Sequence, residues 1–571
     1  MLGLLVGSLA VFAQDTPDGT GSVEAGPWDG GLRVSGTEDF RFRYYHVEEK
    51  LPDFEDRDVL DYLEAVERLN LQGGTDHLTL SLQGDAVALF MNRYILDDAL
   101  FHERPLYVDG VKSPFPDALI DLEKTTLDLH GRPGNVALGD SYASFGRGIA
   151  LNLVKNTEID VDTSIFGLKG VGHFGPWDVT LVSGATNPQQ MALENPNVAI
   201  RPDVYHGVSG ARVDRYGLGP VNLGAHGVVY QFSRGYAEGQ LPLSAYGNPL
   251  DAMVGGGNVA MSGVAGLDLY MEGDVLRYQA DDIAVDGGWE AYASASAYPG
   301  RTSVLLEAKR QVNTEYLNTF ASLNQYEVAA GPTLEYERVI TEDSSATVNS
   351  NDLMGARFKI DTQLGSRPGE GEPVTLVPSF TQAVFRDGDT GGLHFNRTAE
   401  TISHSLVGLL YIRHETHVQM DAGYRVDVRD TDKALGDIGA DRMMHVDLAV
   451  AFPIAGPVSV EISPSAMRYH WGANAQQQED YADATNTLAL KVGSPWALLV
   501  YTDYSDNPLV ASTGNLGEDL YGAVELQWKP QPATTLKAFY GAYRAGIRCA
   551  GGQCRQLPGF NGAKVALTTT F

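Results

Sequence analysis

The sequence predicts an all-β fold, a closed antiparallel transmembrane β-barrel, from alternating strands, alternating connection lengths and the lack of a long apolar run after the amino terminus. The 571 residues show no Pro/Ser-rich linker that would divide them into several domains. After residue 13, no apolar run approaches the roughly 18 residues that a spanning helix requires, so a helical membrane protein is excluded. We therefore expect one continuous barrel from about Ser35 to Phe571.

Strict alternation of apolar and polar residues marks several segments as strands. From Thr416 to Arg429, one face carries only apolar side chains, namely Val418, Met420, Ala422, Tyr424, Val426 and Val428. The same period of two recurs at residues 289–295, 444–452 and 520–529. Over about ten residues, this period is typical of a membrane-spanning strand with an apolar lipid face and a polar lumen face.

The connections alternate between short turns and longer polar loops. We predict short turns at residues 132–134, 175–176, 219–220, 272–274, 299–300, 331–332, 455–457, 493–495 and 529–532. Longer polar loops include residues 183–205, 234–257, 429–440, 470–481 and 505–518. With the short turns on the periplasmic side, the count predicts about 26 strands, within a range of roughly 20 to 26. A propeller would show blade-length repeats, and the sequence has none.

The amino terminus predicts export. Residues 2–13 (LGLLVGSLAVFA) are apolar, too short to span a bilayer, and end in the small-x-small pattern of Val11 to Ala13. No Lys or Arg precedes Arg33, which we interpret as a start codon placed too far downstream. We expect a signal peptide over residues 1–13, a short periplasmic segment over 14–34 and a barrel over 35–571 in the Gram-negative outer membrane.

The last strand ends on Phe571, after Ala563, Val565, Leu567 and Thr569 on one face. It resembles the last strand of Gram-negative outer-membrane proteins, which typically ends in Phe and is recognised by the barrel-assembly machinery. The resemblance implies that machinery as a partner during insertion. Outer-membrane lipid and lipopolysaccharide would then surround the barrel.

Four further stretches resemble an uncharacterised Gram-negative outer-membrane β-barrel family, a domain of unknown function of delta-proteobacterial type. They are VALFMNRY at 87–94, SPFPDALIDLEK at 113–124, GDSYASFGRGIALNL at 139–153 and the cysteine loop running to Pro558. The family has no assigned activity. The resemblance therefore supports the architecture and says little about function.

The two cysteines of the chain, Cys549 and Cys554, enclose four residues that include two glycines. In an exported protein this spacing predicts a disulfide that pins a loop, here the last external loop. A CxxC redox site or a zinc ligand set would require different spacing or more ligands.

Charge gives the main indication of function. The 41 Lys+Arg against 73 Asp+Glu give a net charge of -32, which argues against nucleic acid as a partner. Six charged or titratable residues share the polar faces of two consecutive predicted strands, namely Asp421, Arg425, Asp427, Arg429, His445 and Asp447. A basic side chain facing lipid near the midplane costs about 2–4 kcal/mol, so we expect these residues to face the lumen.

Charges of both signs on a lumen wall either filter solutes or pair across strands and stiffen the barrel, and both interpretations stay open. We predict a channel that passes a solute or polymer, with a modest preference for cations. The alternatives are a surface scaffold or adhesin with a blocked lumen and, less favoured, a hydrolase at the rim.

Residues 139–141 (GDS) resemble the nucleophile block of one lipase/esterase class, and Asp203 to His206 could supply an Asp-x-x-His partner for Ser141. The sequence lacks the helix/strand alternation of that class. We therefore favour a turn and a loop histidine, and predict no enzymatic activity or catalytic residue.

Acidic residues at 53–58, with Asp61 and Glu64, and at 387–389 could gather calcium ligands, but they lack the spacing of an EF-hand loop. We expect solvated external loops there, with no metal and no cofactor. Residues 59–71 (VLDYLEAVERLNL) have apolar positions at helical spacing, which predicts a short loop helix.

Overall fold

The computed structural model of the chain is a closed antiparallel β-barrel of 24 strands. The predicted barrel class is confirmed, and the strand number falls inside the predicted range of 20 to 26, two below the predicted count of about 26. The structure describes residues 33–47, 60–90, 107–108, 111–112, 118–156, 161–188, 206–231, 251–279, 287–312, 353–365, 374–387, 400–429, 440–472, 478–506, 513–514, 516–544, 546–550, 553–557 and 560–571.

The barrel strands are numbered here in chain order. The first twelve are β1 Arg33–Val47, β2 Leu60–Gly74, β3 Leu78–Phe90, β4 Ala118–Gly131, β5 Gly134–Ser141, β6 Val161–Phe174, β7 Trp177–Pro188, β8 Gly207–Leu218, β9 Val221–Gln231, β10 Asp251–Val264, β11 Leu267–Gln279 and β12 Gly288–Ala297. The other twelve are β13 Thr302–Val312, β14 Leu353–Thr362, β15 Val374–Asp387, β16 Glu400–Arg413, β17 Thr416–Arg429, β18 Ala440–Ala455, β19 Val458–Gly472, β20 Gln478–Val492, β21 Trp496–Ser505, β22 Leu520–Gln531, β23 Thr534–Tyr543 and β24 Phe560–Thr570.

Each strand pairs antiparallel with the next, and β24 pairs back with β1, which closes the barrel. Phe571 continues this seam, because its N–H donates to the Gly36 carbonyl over 2.9 Å and the Gly36 N–H donates to its carbonyl over 2.8 Å. The assembly signal predicted at Phe571 stays a prediction. No strand edge of the barrel is left open, as a membrane-spanning sheet requires.

Most short turns lie at one end of the barrel, together with the start of β1 and the end of β24, while the longer connections lie at the other end, except for residues 363–373 between β14 and β15 at the turn end. The turn predicted at residues 272–274 is wrong, because these residues lie inside β11. The chain turns instead at Ala265 and Gly266, both of which have positive φ angles (54° and 79°). The turn predicted at 331–332 lies outside the described residues.

The outer face is apolar and carries an aromatic belt near each end. Exposed aromatic side chains at the turn end are Phe174, Trp177, Tyr216, Tyr298, Trp496 and Trp528, and those toward the other end are Tyr44, Trp289, Tyr424, Tyr504 and Tyr540. Trp496 and Tyr504 on β21 are eight residues apart, about 27 Å along the strand. With strands tilted by about 35–45°, this is roughly 19–22 Å along the barrel axis, somewhat less than the apolar band of about 25 Å that aromatic girdles flank in outer-membrane barrels. Among the described residues, no helix is long and apolar enough to cross a membrane.

The helix predicted at residues 59–71 is wrong, since Leu60–Gly74 forms strand β2. Its buried charged residues Glu64 and Arg68 lie on the inner face and pair with neighbouring strands. Arg68 Nη2 lies 2.6 Å from Asp85 Oδ2 on β3, and Arg43 Nε lies 3.6 Å from Glu64 Oε2 across β1 and β2. These cross-strand pairs neutralise charges on the inner face of the strand.

Several predictions fall on residues that the structure does not describe, namely the signal peptide at 1–13 and most of the segment at 14–34.

A small hairpin pairs Gly546–Ala550 with Gln553–Leu557 in the last long connection, and it sets Cys549 directly opposite Cys554. The structure describes only the backbone of these two residues. The disulfide therefore stays a prediction, compatible with a directly opposed cross-strand pair.

Candidate functional site in the barrel lumen

The inner faces of β16, β17 and β18 form one polar surface, called here the polar wall. Arg425 and His445 are each 4% exposed, whereas their chain neighbours Tyr424 and Met444 are exposed on the outer face. Asp421 lies directly opposite Asp447 on the neighbouring strand. Asp427 and Arg429 belong to β17, but the structure describes only their backbone.

A chain of hydrogen bonds crosses the polar wall. His404 Nε2 lies 3.1 Å from His445 Nε2, and His445 Nδ1 lies 2.9 Å from Asp447 Oδ2. The Ser465 hydroxyl donates to Asp447 Oδ1 over 2.5 Å. Neighbouring groups thus orient His445 and Asp447. His404, which completes this chain, was missed from sequence because β16 does not alternate cleanly between polar and apolar residues.

The polar wall reaches solvent at the turn end. Gln419 lies on the same inner face as Asp421, donates to its Oδ2 over 3.0 Å, and is exposed. Met420, the next residue, is exposed on the outer face. Both faces of β17 are therefore exposed near residues 419 and 420. Because Gln419 faces inward, solvent-accessible space lies inside the barrel beside it.

Residues 142–156, called here the lumen segment, connect β5 to β6 by folding into the barrel. Ala143–Phe145 pairs with Leu151–Leu153 in a small hairpin, and the side chains of Phe145 and Leu151 have no exposed surface. Burial of such a large apolar side chain stabilises by about 1.5–3 kcal/mol. The segment is part of the GDSYASFGRGIALNL stretch, which sequence analysis did not place inside the barrel.

The lumen segment packs on the inner face of β7–β11, called here the covered wall. The buried apolar residues of this wall form one cluster with those of the segment, namely Val182, Val208, Val228, Tyr230, Ala252, Val254, Leu276 and Tyr278. The Tyr230 hydroxyl also donates to the Ala150 carbonyl. Apolar side chains therefore face inward as well as outward in this region, and the segment shields the inward set from water.

A tight turn at the tip of the lumen segment is fastened to β11. Gly146 has a φ of +60°, and an added Cβ would lie 1.8 Å from Glu272 Oε1. The Arg147 N–H donates to Glu272 Oε2 over 2.8 Å. The Arg147 guanidinium lies 4.4 Å from the ring centroid of Tyr292, within cation–π range. The two glycines at 146 and 148 were the sequence signal for this turn.

The ends of the lumen segment are held by Asp162 on β6. Tyr142 donates to Asp162 Oδ1 over 2.8 Å, and Lys155 Nζ lies 3.1 Å from Asp162 Oδ2. Burial, with the Asp162 carboxylate beside it, raises the pKa of Tyr142, so its hydroxyl stays a donor. A cavity of about 320 Å³ opens next to these residues and is lined also by Lys124 and Asp140.

The hydrolase hypothesis requires Ser141 to meet His206. Ser141 pairs with Ile165, Ile165 pairs with Thr186, and the Thr186 N–H donates to the His206 carbonyl. Three strand spacings therefore separate Ser141 from His206, about 14 Å. Burial lowers the pKa of His206 to about 4. The described residues thus do not bring the two groups together, and Asp203 lies outside them.

The acidic runs considered for calcium do not form a site in the described residues. Glu64 lies on the inner face of β2 beside Arg43. Asp61 belongs to β2 and Asp387 ends β15, but only their backbones are described. Residues 53–58 and 388–389 lie outside the described ranges.

Residues 464–571 match the model of a family of unknown function, DUF6029. The match covers the last strands of the barrel and the cysteine loop, but not the three other stretches on which the sequence resemblance rested. A delta-proteobacterial type is not tested by this match. A comparison with curated proteins gives no match to this chain.

Several solved structures are similar to the chain at low identity. OpdK of Pseudomonas aeruginosa, solved with vanillate, has 12% identity and a TM-score of 0.38, covering 73% of this chain and 97% of its own. The siderophore receptor PirA of the same organism has 8% identity and a TM-score of 0.43, with coverages of 94% and 80%. The P pilus usher translocation pore PapC has 9% identity and a TM-score of 0.40, with coverages of 94% and 99%. No function is transferred from them.

Proposed function

We propose that this chain is an outer-membrane channel that passes a small polar solute and modestly favours cations. The observation that carries the proposal is the contrast between the two faces of one closed sheet. Polar side chains such as Asp421 and Gln419 lie on the inner face, with Gln419 exposed to solvent, while the outer face is apolar between two aromatic belts. Barrels of 16 to 18 strands already enclose an aqueous channel, and this barrel has 24.

The lumen segment supports a small solute over a polymer. It lies inside the barrel against the covered wall, so the passage is narrower there than the strand number alone implies. Its tip carries Arg147 and is fastened to Glu272, which sets charged groups at the narrowed level. A constriction built from charged side chains is a common origin of selectivity in pores.

The polar wall supports the preference for cations. Asp421 and Asp447 lie opposite each other on adjacent strands, and Arg425 on the same wall opposes their effect. Fixed wall charge concentrates counter-ions within about a Debye length, roughly 10 Å at 0.1 M salt and 3 Å at 1 M. The preference should therefore be modest and strongest at low salt.

Planar-bilayer recording tests this proposal. Wild-type protein should conduct, and its reversal potential under a KCl gradient should have the sign for cation preference. Replacing Asp421 and Asp447 together by Asn should shift that potential toward zero, most clearly near 0.1 M salt. The matched control is Asp76→Asn in the exposed turn between β2 and β3, which removes a carboxylate charge outside the polar wall and should leave the potential unchanged.

Two outcomes decide against the proposal. Absence of conductance would favour the alternative of a surface scaffold or adhesin with a blocked lumen. Preference for anions would contradict the assigned role of the polar wall.

We also propose outer-membrane lipid, lipopolysaccharide and the barrel-assembly machinery as partners, on the grounds of the apolar outer face and the closed seam at Phe571.

A further inference from the structure

Three groups able to bind metal converge on the covered wall, close to the tip of the lumen segment. They are His226 on β9 and Glu272 and Asp274 on β11, and each offers one ligand atom within 4.8 Å of the others. All three are buried. We propose that these residues form a binding site for a divalent first-row transition-metal ion, of which Zn²⁺ is the best match.

The register of three strands brings these groups together. His226 pairs with Gly256 on β10, and Gly256 pairs with Asp274 on β11, so the three residues form one row on the inner face. Glu272 lies on the same face, two residues before Asp274. Because Gly256 has no side chain, His226 Nε2 reaches across β10 to within 2.5 Å of Asp274 Oδ1.

The Asp274 carboxylate occupies the space where a side chain at position 256 would lie. A Cβ added at Gly256 would lie 2.1 Å from Asp274 Oδ1, closer than any real contact allows. The sequence thus keeps a glycine at the one position where a side chain would separate the imidazole from the carboxylate. Because residues 272–274 were predicted as a turn, the alignment of His226, Gly256 and Asp274 on neighbouring strands could not be predicted from sequence.

Each of the three side chains has one buried polar atom without a hydrogen-bond partner among the described residues. His226 Nδ1, Glu272 Oε1 and Asp274 Oδ2 are buried and have no hydrogen-bond partner among the described residues. The side chains of His226 and Asp274 have no exposed surface at all. Buried polar atoms without partners are costly, and a cation would satisfy several of them at once.

Among the described residues, no basic side chain pairs directly with the cluster: Arg212, opposite His226 on β8, pairs with Asp214 and acts on Glu272 only from a longer distance. In the described part of the chain, no Lys or Arg nitrogen forms an ion pair with Glu272 or Asp274, and His226 is the partner of Asp274. Two carboxylates held this close favour a bound cation, because each raises the cost of the other's charge. A divalent ion offsets both charges.

The donor set indicates which class of ion would bind. One imidazole nitrogen with two carboxylate oxygens is suited to Zn²⁺, Mn²⁺ or a similar transition ion, whereas Ca²⁺ and Mg²⁺ prefer oxygen ligands alone. Glu272 is oriented for this role by its other oxygen, Oε2, which accepts from the Arg147 N–H over 2.8 Å and from the Tyr270 hydroxyl. Such outer contacts are typical of carboxylates that bind metals.

Metal titration of the full-length protein in detergent tests the site. After EDTA treatment and dialysis, isothermal titration with Zn²⁺, Mn²⁺, Ca²⁺ and Mg²⁺ should show one equivalent of Zn²⁺ per chain, weaker Mn²⁺ and no comparable Ca²⁺ or Mg²⁺ binding. Asp274→Asn, Glu272→Gln and His226→Gln should each weaken Zn²⁺ binding by about tenfold or more. Gly256→Ala should do the same although it keeps every ligand.

The matched control is the exposed His173–Asp178 pair, in which Nδ1 and Oδ1 lie 2.7 Å apart and which has no second carboxylate beside it among the described residues. His173→Gln should leave Zn²⁺ binding unchanged. Visible absorption of the Co²⁺-loaded wild type gives a second signal, which should be lost in His226→Gln. Heat-modifiable migration on gels verifies that each variant is folded.

Three results would overturn the proposal. The first is a wild-type protein that binds no stoichiometric Zn²⁺. The second is Zn²⁺ binding that survives both His226→Gln and Asp274→Asn, which would locate the metal elsewhere. The third is Ca²⁺ binding as tight as Zn²⁺ binding and insensitive to His226→Gln, which would exclude the imidazole as a ligand. None of these results depends on whether the barrel conducts.

Discussion

The covered wall and the polar wall belong to one sheet, yet their inward-facing side chains differ in polarity and in what covers them. The polar wall faces the lumen with hydrogen-bonded charged side chains such as His445 and Asp447. The covered wall faces inward with apolar side chains such as Val228 and Leu276, and the lumen segment shields them from water. An inner barrel face therefore need not be polar if the chain provides its own cover.

The two walls also differ in the role that we propose for each. The polar wall is accessible to solvent at its turn end and can act on a passing solute. The covered wall anchors an inserted segment and, at its polar edge, gathers His226, Glu272 and Asp274. We therefore expect changes in the covered wall to affect the shape of the lumen, and changes in the polar wall to affect its charge.

Removal of the lumen segment is expected to have the largest effect. Replacing residues 143–153 by a short Gly/Ser linker should raise single-channel conductance by roughly twofold or more, since the narrowed level would widen toward the full barrel. Bilayer recording measures this directly, with heat-modifiable migration as the check on folding. Conductance equal to that of the wild type would mean that the segment does not border the conducting path.

Truncation of Phe145 should loosen the lumen segment without unfolding the barrel. Phe145 has no exposed surface, and Phe→Ala at a buried site costs about 3–5 kcal/mol. Hydrogen exchange of peptides covering residues 142–156 should accelerate by roughly a hundredfold or more, because opening of the segment becomes easier. Phe166→Ala is the matched control, since Phe166 is 54% exposed on the outer face of β6, and exchange of the segment should stay unchanged there.

A smaller effect is expected at the tip. Gly146 and Gly175 have nearly equal φ angles, +60° and +64°, but only Gly146 has neighbours within 4 Å of an added Cβ. Alanine at either position costs about 1–2 kcal/mol for the left-handed conformation. Gly146→Ala should cost more, because its Cβ would displace Glu272. Equal stability losses in hydrogen exchange or chemical unfolding would show that the contact with Glu272 does not hold the tip.

The two walls explain how far the sequence could predict this molecule. On β17 and β18, apolar and polar residues alternate, so the strands and the inward positions of Arg425 and His445 followed from the period of two. On β9 and β10, both faces carry glycine or apolar residues, so alternation gave no direction.

The lumen segment could not be predicted for a related reason. Its position depends on contacts with strands 80 to 125 residues away in sequence, such as those of Ala150 with Tyr230 and of Arg147 with Glu272. The row of His226, Gly256 and Asp274 likewise depends on the register of three strands, which a local pattern does not specify. The helix wrongly predicted at 59–71 failed because the partners of Glu64 and Arg68 lie on other strands.

The central claim is that the polar wall borders a conducting, water-filled lumen, and two adjacent residues of β17 test it most directly. Gln419 lies on the inner face and Met420 on the outer face, and both are exposed. Gln419→Cys and Met420→Cys are each recorded in bilayers before and after a positively charged, water-soluble thiol reagent, with treated wild type as the control for Cys549 and Cys554. We expect the reagent to lower both conductance and cation preference in Gln419→Cys and to change neither in Met420→Cys or the wild type. Equal responses of the two variants, or no response in Gln419→Cys, would contradict the account.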